Sequence, residues 1–328
     1  MGRAVAAANA NVALAKYWGK RDEALNLPFT GSLSVSLGGL ETVASVDFAS
    51  GPAADRILLN EAAAAPREAE RISRFLDLVR ERTGVRSRAV VEVRSNFPVA
   101  AGLASSASTF AALALAASAA AGLGLDEREL SVLARRGSGS AARSIRGGFV
   151  EWMAGEEDDG SDSYAVQVAP PEHWPLGVVV AVADEGAKKV GSREGMNHVV
   201  RHSPFFPLWL ETHEADLEAI RAGILARDLE AVGRASEHNC LKMHAVSMAA
   251  EPAIFYWNEI TVALMRRVRE LREEGTAAYF TIDAGPQVKV ICRMSDRAAV
   301  ARALEAVGGV KRVLMSEPGR DARLLERA

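Results

Sequence analysis

Between Arg88 and Ala121 a strand, a loop of small residues and an alanine-rich helix follow one another without a break, and this unit limits the folds open to the chain. Val90, Val91 and Val93 mark the strand, and residues 109–121 are nearly all alanine and leucine, the best helix formers. Between them lies Pro98-Val-Ala-Ala-Gly-Leu-Ala-Ser-Ser-Ala-Ser108, a glycine and three serines at the mouth of the helix. Unpaired N–H groups and the positive end of the macrodipole gather at a helix N-terminus, so a loop free of bulky side chains there can wrap a phosphate chain. Gly102, Ser105, Ser106 and Ser108 are the candidate contacts, with the Ser106 hydroxyl also a candidate for a phosphate-bound Mg²⁺. A serine-capped buried helix is the plainer reading of the same residues.

The surrounding sequence narrows the class. At 328 residues and 49% hydrophobic the chain can bury a large core, and its length suits two domains. Formal net charge is −3 with basic residues dispersed, which speaks against a nucleic-acid surface and leaves local positive charge to be placed for small anions. The start lacks the layout of a signal peptide, and no apolar run reaches the roughly 18 to 20 residues that cross a bilayer. Cys240 and Cys292 read as reduced thiols of a cytoplasmic protein, and the six histidines show no ligand spacing.

Strands are expected at residues 4–15, 41–49, 88–96, 148–153, 163–168 and 176–182, with helices at 66–83 and 128–136. The acidic residues 156–162 read as a solvated hairpin tip. After Asp184 the texture changes: helices at 193–202, 205–227, 229–249 and 254–274 give way to strands at 277–283 and 288–293, a helix at 295–306 and a strand at 310–315. This is an α+β layout with one domain over 1–184 and a second over 185–328.

Chemistry-bearing residues cluster in short segments. Ala15-Lys-Tyr-Trp-Gly-Lys-Arg21 ends the first strand with cations and aromatics, and Gly137-Ser-Gly-Ser140 makes a small concave loop with Arg143 three residues on, a planar fork for a carboxylate or phosphate. Ser192-Arg193 opens a helix, where hydroxyl, guanidinium and N–H groups converge. Asp283 ends an apolar strand before Ala-Gly-Pro, where it can act on a hydroxyl or close an Asx turn.

No G-x-x-x-x-G-K-[ST] or G-x-G-x-x-G loop is present; the P-x-x-x-G-L-x-S-S-A-S segment instead resembles the phosphate loop of the GHMP kinase superfamily. Together with A-K-Y-W-G-K-R, Gly31-Ser-Leu-Ser-Val-Ser36, the 137–152 segment, Lys188-Lys-Val-Gly-Ser-Arg-Glu-Gly-Met196 and Thr281-Ile-Asp-Ala-Gly-Pro286, in this order, the chain resembles the diphosphomevalonate decarboxylase family over about residues 9 to 290. The resemblance implies a two-domain GHMP kinase fold, with an N-terminal domain like the second domain of ribosomal protein S5 and a ferredoxin-like C-terminal domain. It implies ATP-dependent decarboxylation of mevalonate 5-diphosphate with Mg²⁺, in a cytoplasmic homodimer.

Under that resemblance Asp283 accepts the C3 hydroxyl proton and Arg143 fixes the substrate carboxylate. Tyr17, Trp18, Lys20, Ser138, Gly139, Ser140, Ser192, Arg193 and Met196 bind the diphosphate or line its pocket, and Lys188 or Lys189 steadies the nucleotide. Two positions depart from the family pattern: Gln287 replaces asparagine after Ala-Gly-Pro, and Thr30 stands where asparagine is usual. A decarboxylase of the 5-monophosphate, a mevalonate 3-kinase and a non-catalytic nucleotide-binding regulator are the alternatives. The regulator is expected to lose the base or the phosphate loop.

Overall fold

The computed structural model describes residues 2–49, 51–97, 105–186 and 189–327. In the first half, β1 (Arg3–Ala15), β2 (Lys20–Asp22), β3 (Leu27–Pro28), β4 (Ser32–Asp47), β5 (Arg56–Leu59) and β6 (Ala62–Ala63) precede α1 (Pro66–Thr83). β7 (Val90–Ser95), α2 (Ser105–Ala120), α3 (Glu127–Gly137), a 3-10 turn (Gly139–Ser144), β8 (Phe149–Trp152) and β9 (Ala165–Ala169) follow. β1 pairs antiparallel with β4 along its whole length, from Arg3 opposite Asp47 to Ala15 opposite Leu33. β4 changes partner midway: residues 32–35 face β8, and residues 42–47 face β7.

Alanines explain the tight layer above this sheet. Ala4, Ala6, Ala8 and Ala44 on the strands meet Ala111, Ala112, Ala114, Ala116 and Ala117 of α2, so backbone approaches backbone and α2 is buried nearly all round. α1 is set by Pro66 in its first turn and by Gly84 in the left-handed conformation at its end, and its Ile72, Phe75, Leu76 and Val79 stripe closes the core. The acidic residues 156–162 do sit at the tip between β8 and β9, where Asp162 accepts from the Glu156 N–H at 2.6 Å.

The second half comprises β10 (Leu176–Val182), α4 (Ser192–His202), α5 (Phe206–Ala226), α6 (Leu229–Met248), α7 (Glu259–Glu273), β11 (Ala278–Ile282) and β12 (Val288–Arg293). α8 (Arg297–Glu305), β13 (Arg312–Ser316) and β14 (Arg323–Arg327) complete it. Its sheet runs β11-β12-β10-β13, antiparallel throughout. α7 and α8 cover one face with Leu264, Val268, Val300 and Leu304. On the other face Val178, Val180 and Ile291 share a core with Val12, Leu14 and Leu33 of the first sheet and with Ile220 of α5, so the two sheets are fused through one apolar layer.

Three expectations shift. β10, read with the strands before residue 185, pairs β12 and β13 of the second sheet; an apolar run announces a strand but leaves its partner open. β14 pairs β1 from more than 300 residues away, and its Arg-Leu-Leu-Glu-Arg sequence, mostly exposed on an edge, carries too little apolar signal to read as a strand. α7 starts five residues later than expected because Asn258 and Thr261 form a reciprocal capping box, leaving Ile254 and Tyr256 to pack from a loop.

Candidate active site

A cavity of about 1000 Å³ opens where the end of β1, the 3-10 turn, the N-termini of α2 and α4 and the β11–β12 turn converge. Eight basic and four acidic side chains line it, so a chain of net charge −3 presents a positive cleft.

At its floor Asp283 sits between two buried lysines. Its Oδ1 accepts from Lys16 Nζ at 2.7 Å and its Oδ2 pairs with Lys289 Nζ at 3.0 Å, while Lys16 also donates to the Ala13 carbonyl. Burial alone would raise this carboxyl; the two ammonium groups outweigh it and hold the acid well below the usual carboxylate range. The carboxylate thus faces the lysines, and the following turn is closed by the backbone, Gly285 N–H to Asp283 O at 2.8 Å.

Arg143 rises beside it from the 3-10 turn, buried to 2%. It donates to Ser32 Oγ, lies 6.0 Å from the centre of the Trp152 ring, and has an Nε with no partner among the described residues. Burial draws its pKa down to about 10, against the opposing charge of Asp283. Tyr17 packs edge-on to Trp152 at 4.7 Å, and its hydroxyl also lacks a partner among the described residues; burial raises its pKa. Gly139 admits this pair, since a Cβ there would stand 2.7 Å from the Tyr17 ring and 2.9 Å from Trp152. Two unmatched buried polar groups thus accompany a buried guanidinium, the environment of a site completed by a polar ligand.

Further along the wall, Lys20, Arg71 and Arg193 form a second cluster, and among the described residues no carboxylate lies in ion-pair contact with any of them. Lys20 Nζ donates to Asn26 Oδ1 at 2.7 Å, and Asn26, in the left-handed conformation it tolerates, donates to the Arg135 and Arg136 carbonyls. Burial, then Arg193 and Arg71, push the Lys20 pKa down to about 7. Arg71 is held by the Gly137 carbonyl and by the face of Phe110, 4.5 Å from its centre, and burial brings it to about 10. Ser192 and Arg193 project from the first turn of α4, with Met196 one turn in and Trp18 buried against Tyr256. A Cβ at Gly19 would strike Phe206 at 2.6 Å, which keeps the bend after Trp18 tight.

The remaining expected contacts divide. Ser105, Ser106, Ser138, Gly139 and Ser140 line the cavity, and Ser106 Oγ and Ser138 Oγ are 3.2 Å apart. Ser108 does not: it is fully buried, bonded to Thr42 Oγ1 at 2.8 Å and to the Ser105 carbonyl, because α2 packs that turn against β4. Gly102 and Lys188 lie outside the described residues, and Lys189 is exposed and off the cavity lining. Gln287 and Thr30 also stay off the lining; Gln287 is buried and accepts from the Ala183 N–H at 2.6 Å, clamping the end of β10. An adjoining pocket of about 100 Å³ is lined by Leu59, Ile72, Val93, Thr109 and Phe110 and shares Ser105, Ser106 and Arg71 with the main cavity. Among the described residues no three His, Cys, Asp or Glu side chains gather to hold a metal ion.

Lys289 and Arg71 were absent from the sequence reading, and Lys16, noted there among the cations after the first strand, was given no role. A lysine inside Val288-Lys-Val-Ile was the available signal for Lys289, because lysine is hardly ever fully buried unless paired. Lys16 carried the same signal at the end of an apolar strand, and Arg71 carried none, since it sits on the charged side of an ordinary amphipathic helix.

Two family models match the chain: the diphosphomevalonate decarboxylase-like N-terminal domain over residues 8–165 and the mevalonate 5-diphosphate decarboxylase C-terminal domain over residues 178–317. The human diphosphomevalonate decarboxylase is 37% identical over 308 residues, 88% of this chain and 76% of that protein. The crystal structure of mevalonate diphosphate decarboxylase from Staphylococcus aureus superposes with a TM-score of 0.94 at 37% identity, covering 99% of this chain and 98% of that one. A complex of MDDEF with MVAPP, AMPPCP and magnesium superposes at 0.93 with 38% identity, covering 99% of each chain.

Proposed function

The chain belongs to the diphosphomevalonate decarboxylase family, and we propose that the Asp283 and Lys20 ends of its cleft divide that family's reaction between them. The protein is an ATP- and Mg²⁺-dependent enzyme of the GHMP kinase superfamily that decarboxylates mevalonate 5-diphosphate to isopentenyl diphosphate, releasing ADP, phosphate and CO₂. The observation that carries the division of labour is the pairing pattern: Asp283 is held by Lys16 and Lys289, while among the described residues no carboxylate is in ion-pair contact with Lys20, Arg71 or Arg193.

Asp283 orients the C3 hydroxyl and takes its proton as O3 bonds to the γ-phosphorus and the bond from that phosphorus to the ADP oxygen breaks. Two lysines make this carboxylate a weak base, which suffices where the transition state is loose and positioning supplies most of the catalysis. Arg143 and Tyr17, with their unmatched Nε and hydroxyl, receive the C1 carboxylate. The C3–O bond then breaks with its electron pair on phosphate, the C1–C2 pair becomes the C2=C3 double bond, and CO₂ leaves. Lys20, Ser192, Arg193, Ser138 and Ser140 hold the diphosphate away from the reacting carbon, with Trp18 and Met196 as its apolar wall.

Ser105 and Ser106 at the α2 N-terminus face the nucleotide phosphates, with Arg71 beside them and the adjoining apolar pocket for the base. Mg²⁺ supplies charge neutralisation on the transferring phosphate. The donor set fits an ion carried chiefly by phosphate oxygens, with Ser106 as the candidate protein ligand, since no all-protein cage exists among the described residues. No helix among the described residues is long and apolar enough to cross a membrane. Two buried free thiols support a cytoplasmic setting, and the exposed Phe205, Leu208 and Phe255 side chains support a homodimer, to be checked by sedimentation velocity.

The deciding assay follows ADP and CO₂ together with Mg-ATP and either mevalonate 5-diphosphate or the 5-monophosphate. Matched ADP and CO₂ from the diphosphate alone is the expected result. Preference for the monophosphate would remove the role given to Lys20 and Arg193 as anchors of a diphosphate, and ADP without CO₂ would leave a 3-kinase.

A further inference from the structure

β1 ends at Ala15, opposite Leu33, so the Lys16 N–H runs past the last ladder pair of its strand. It finds a partner in α6, donating to Asn239 Oδ1 at 2.8 Å. Asn239 is fully buried, its oxygen accepts from Lys16 and both of its amide protons are engaged: Nδ2 donates to Asp216 Oδ2 at 2.9 Å and to His213 Nδ1 at 3.2 Å, both on α5. Asp216 is in turn held by Lys242 Nζ at 2.6 Å. His213, also fully buried, reaches the Gly31 carbonyl through Nε2 at 2.8 Å.

The donors and acceptors permit one proton arrangement. A carbonyl only accepts, so His213 carries its proton on Nε2 and leaves Nδ1 to accept from Asn239. A backbone N–H only donates, so the Asn239 amide cannot be reversed. Burial, which lowers the His213 pKa to about 4, keeps the ring neutral in this role.

Both ends of the chain terminate one step from the reacting groups. Lys16, whose amide Asn239 fixes, holds Asp283 through its ammonium group. Gly31, whose carbonyl His213 fixes, precedes Ser32, the hydroxyl partner of Arg143. We infer that Asn239 and His213 are positioning residues: a buried brace between α5 and α6 that sets Asp283, through Lys16, and Arg143, through Ser32, at a fixed separation across the substrate carbon. The inference rests on the roles given above to Asp283 and Arg143.

Asn239→Ala and His213→Leu are expected to lower kcat about 10- to 100-fold while the KM values for ATP and mevalonate 5-diphosphate stay within about twofold, because misplacing reacting groups by a fraction of an ångström costs rate before binding. His213→Gln, which retains one donor and one acceptor, should recover kcat to within about threefold of wild type by the same reasoning. A purely structural role would lower the melting temperature of all three and leave kcat per folded molecule unchanged, which would overturn the inference. The ¹⁵N spectrum of the wild-type imidazoles supplies a test independent of any variant: His213 must be neutral with its proton on Nε2 above pH 5, and a proton on Nδ1 breaks the chain of bonds. Wild-type release of CO₂ in the same assay separates a failure of the brace from a failure of the assigned reaction.

Discussion

At the Asp283 end of the cleft the carboxylate is paired by two lysines, whereas at the Lys20 end three cations face one another and, among the described residues, no carboxylate lies in ion-pair contact with them. The pairing of Asp283 precedes any ligand: Lys16 and Lys289 keep the acid ionised. At the second end, burial and then the neighbouring Arg193 and Arg71 drive Lys20 to about 7 in the free protein, and an anionic ligand offsets that shift. Under the proposed division, binding energy is gathered at one end and used at the other. This division suits a reaction in which a remote diphosphate anchors a substrate whose chemistry takes place at C3.

The comparison breaks most severely at Asp283. Asp283→Asn is expected to lower kcat about 1000-fold, the scale of losing a positioned acid–base group, with the KM for ATP nearly unchanged. Matched ADP and CO₂ release measures it, and turnover within tenfold of wild type would show that the paired end is not the reacting end. Lys20→Met and Arg193→Met should instead act on binding. Each is expected to raise the KM for the diphosphate about 10- to 30-fold, the loss of one charge-assisted contact, with kcat changed by less than about threefold. A kcat loss exceeding the KM change would erase the distinction between the two ends.

The smallest effect is in pH. A lysine at about 7 in the free protein is charged below that value and neutral above it, and a diphosphate prefers the charged form. The KM for mevalonate 5-diphosphate should therefore rise as pH climbs from 7 to 9, by about tenfold at most over the whole range, after the phosphate's own ionisation near 6 is complete. Lys20→Met should flatten that rise. An equal rise in the variant would place the titration elsewhere.

Legibility in the sequence followed the same division. Asp283, Arg143, Ser192 and Arg193 stand in short, distinctive segments, and the helices and strands around them follow from apolar periodicity; residues 66–83, 176–182 and 288–293 fall on observed elements to the residue. The partners of those groups were hidden because each comes from far along the chain. Lys289 meets Asp283 across a turn, but Lys16 is 267 residues away and Asn239 another 223 from Lys16, separations that no local pattern encodes. Ser108 misled for a related reason: a serine beside a phosphate loop looks like Ser105 and Ser106 until the sheet beneath it, with Thr42, takes its hydroxyl. Sheet membership was equally opaque, since the Leu-Gly-Val-Val-Val-Ala-Val run of β10 fits a buried strand of either sheet.

The pairing of β14 with β1 bears on how such a molecule is made. Arg3–Ala15 is made more than 300 residues before the strand that covers one of its edges, with Ala4 opposite Arg327 and Ala7 opposite Arg323. Throughout translation that edge offers unpaired N–H and C=O groups to any neighbouring nascent chain, the geometry by which strands add to one another and aggregate. The closing strand is thus a late seal, and deleting Arg323–Arg327 would expose an edge of a strand made long before it.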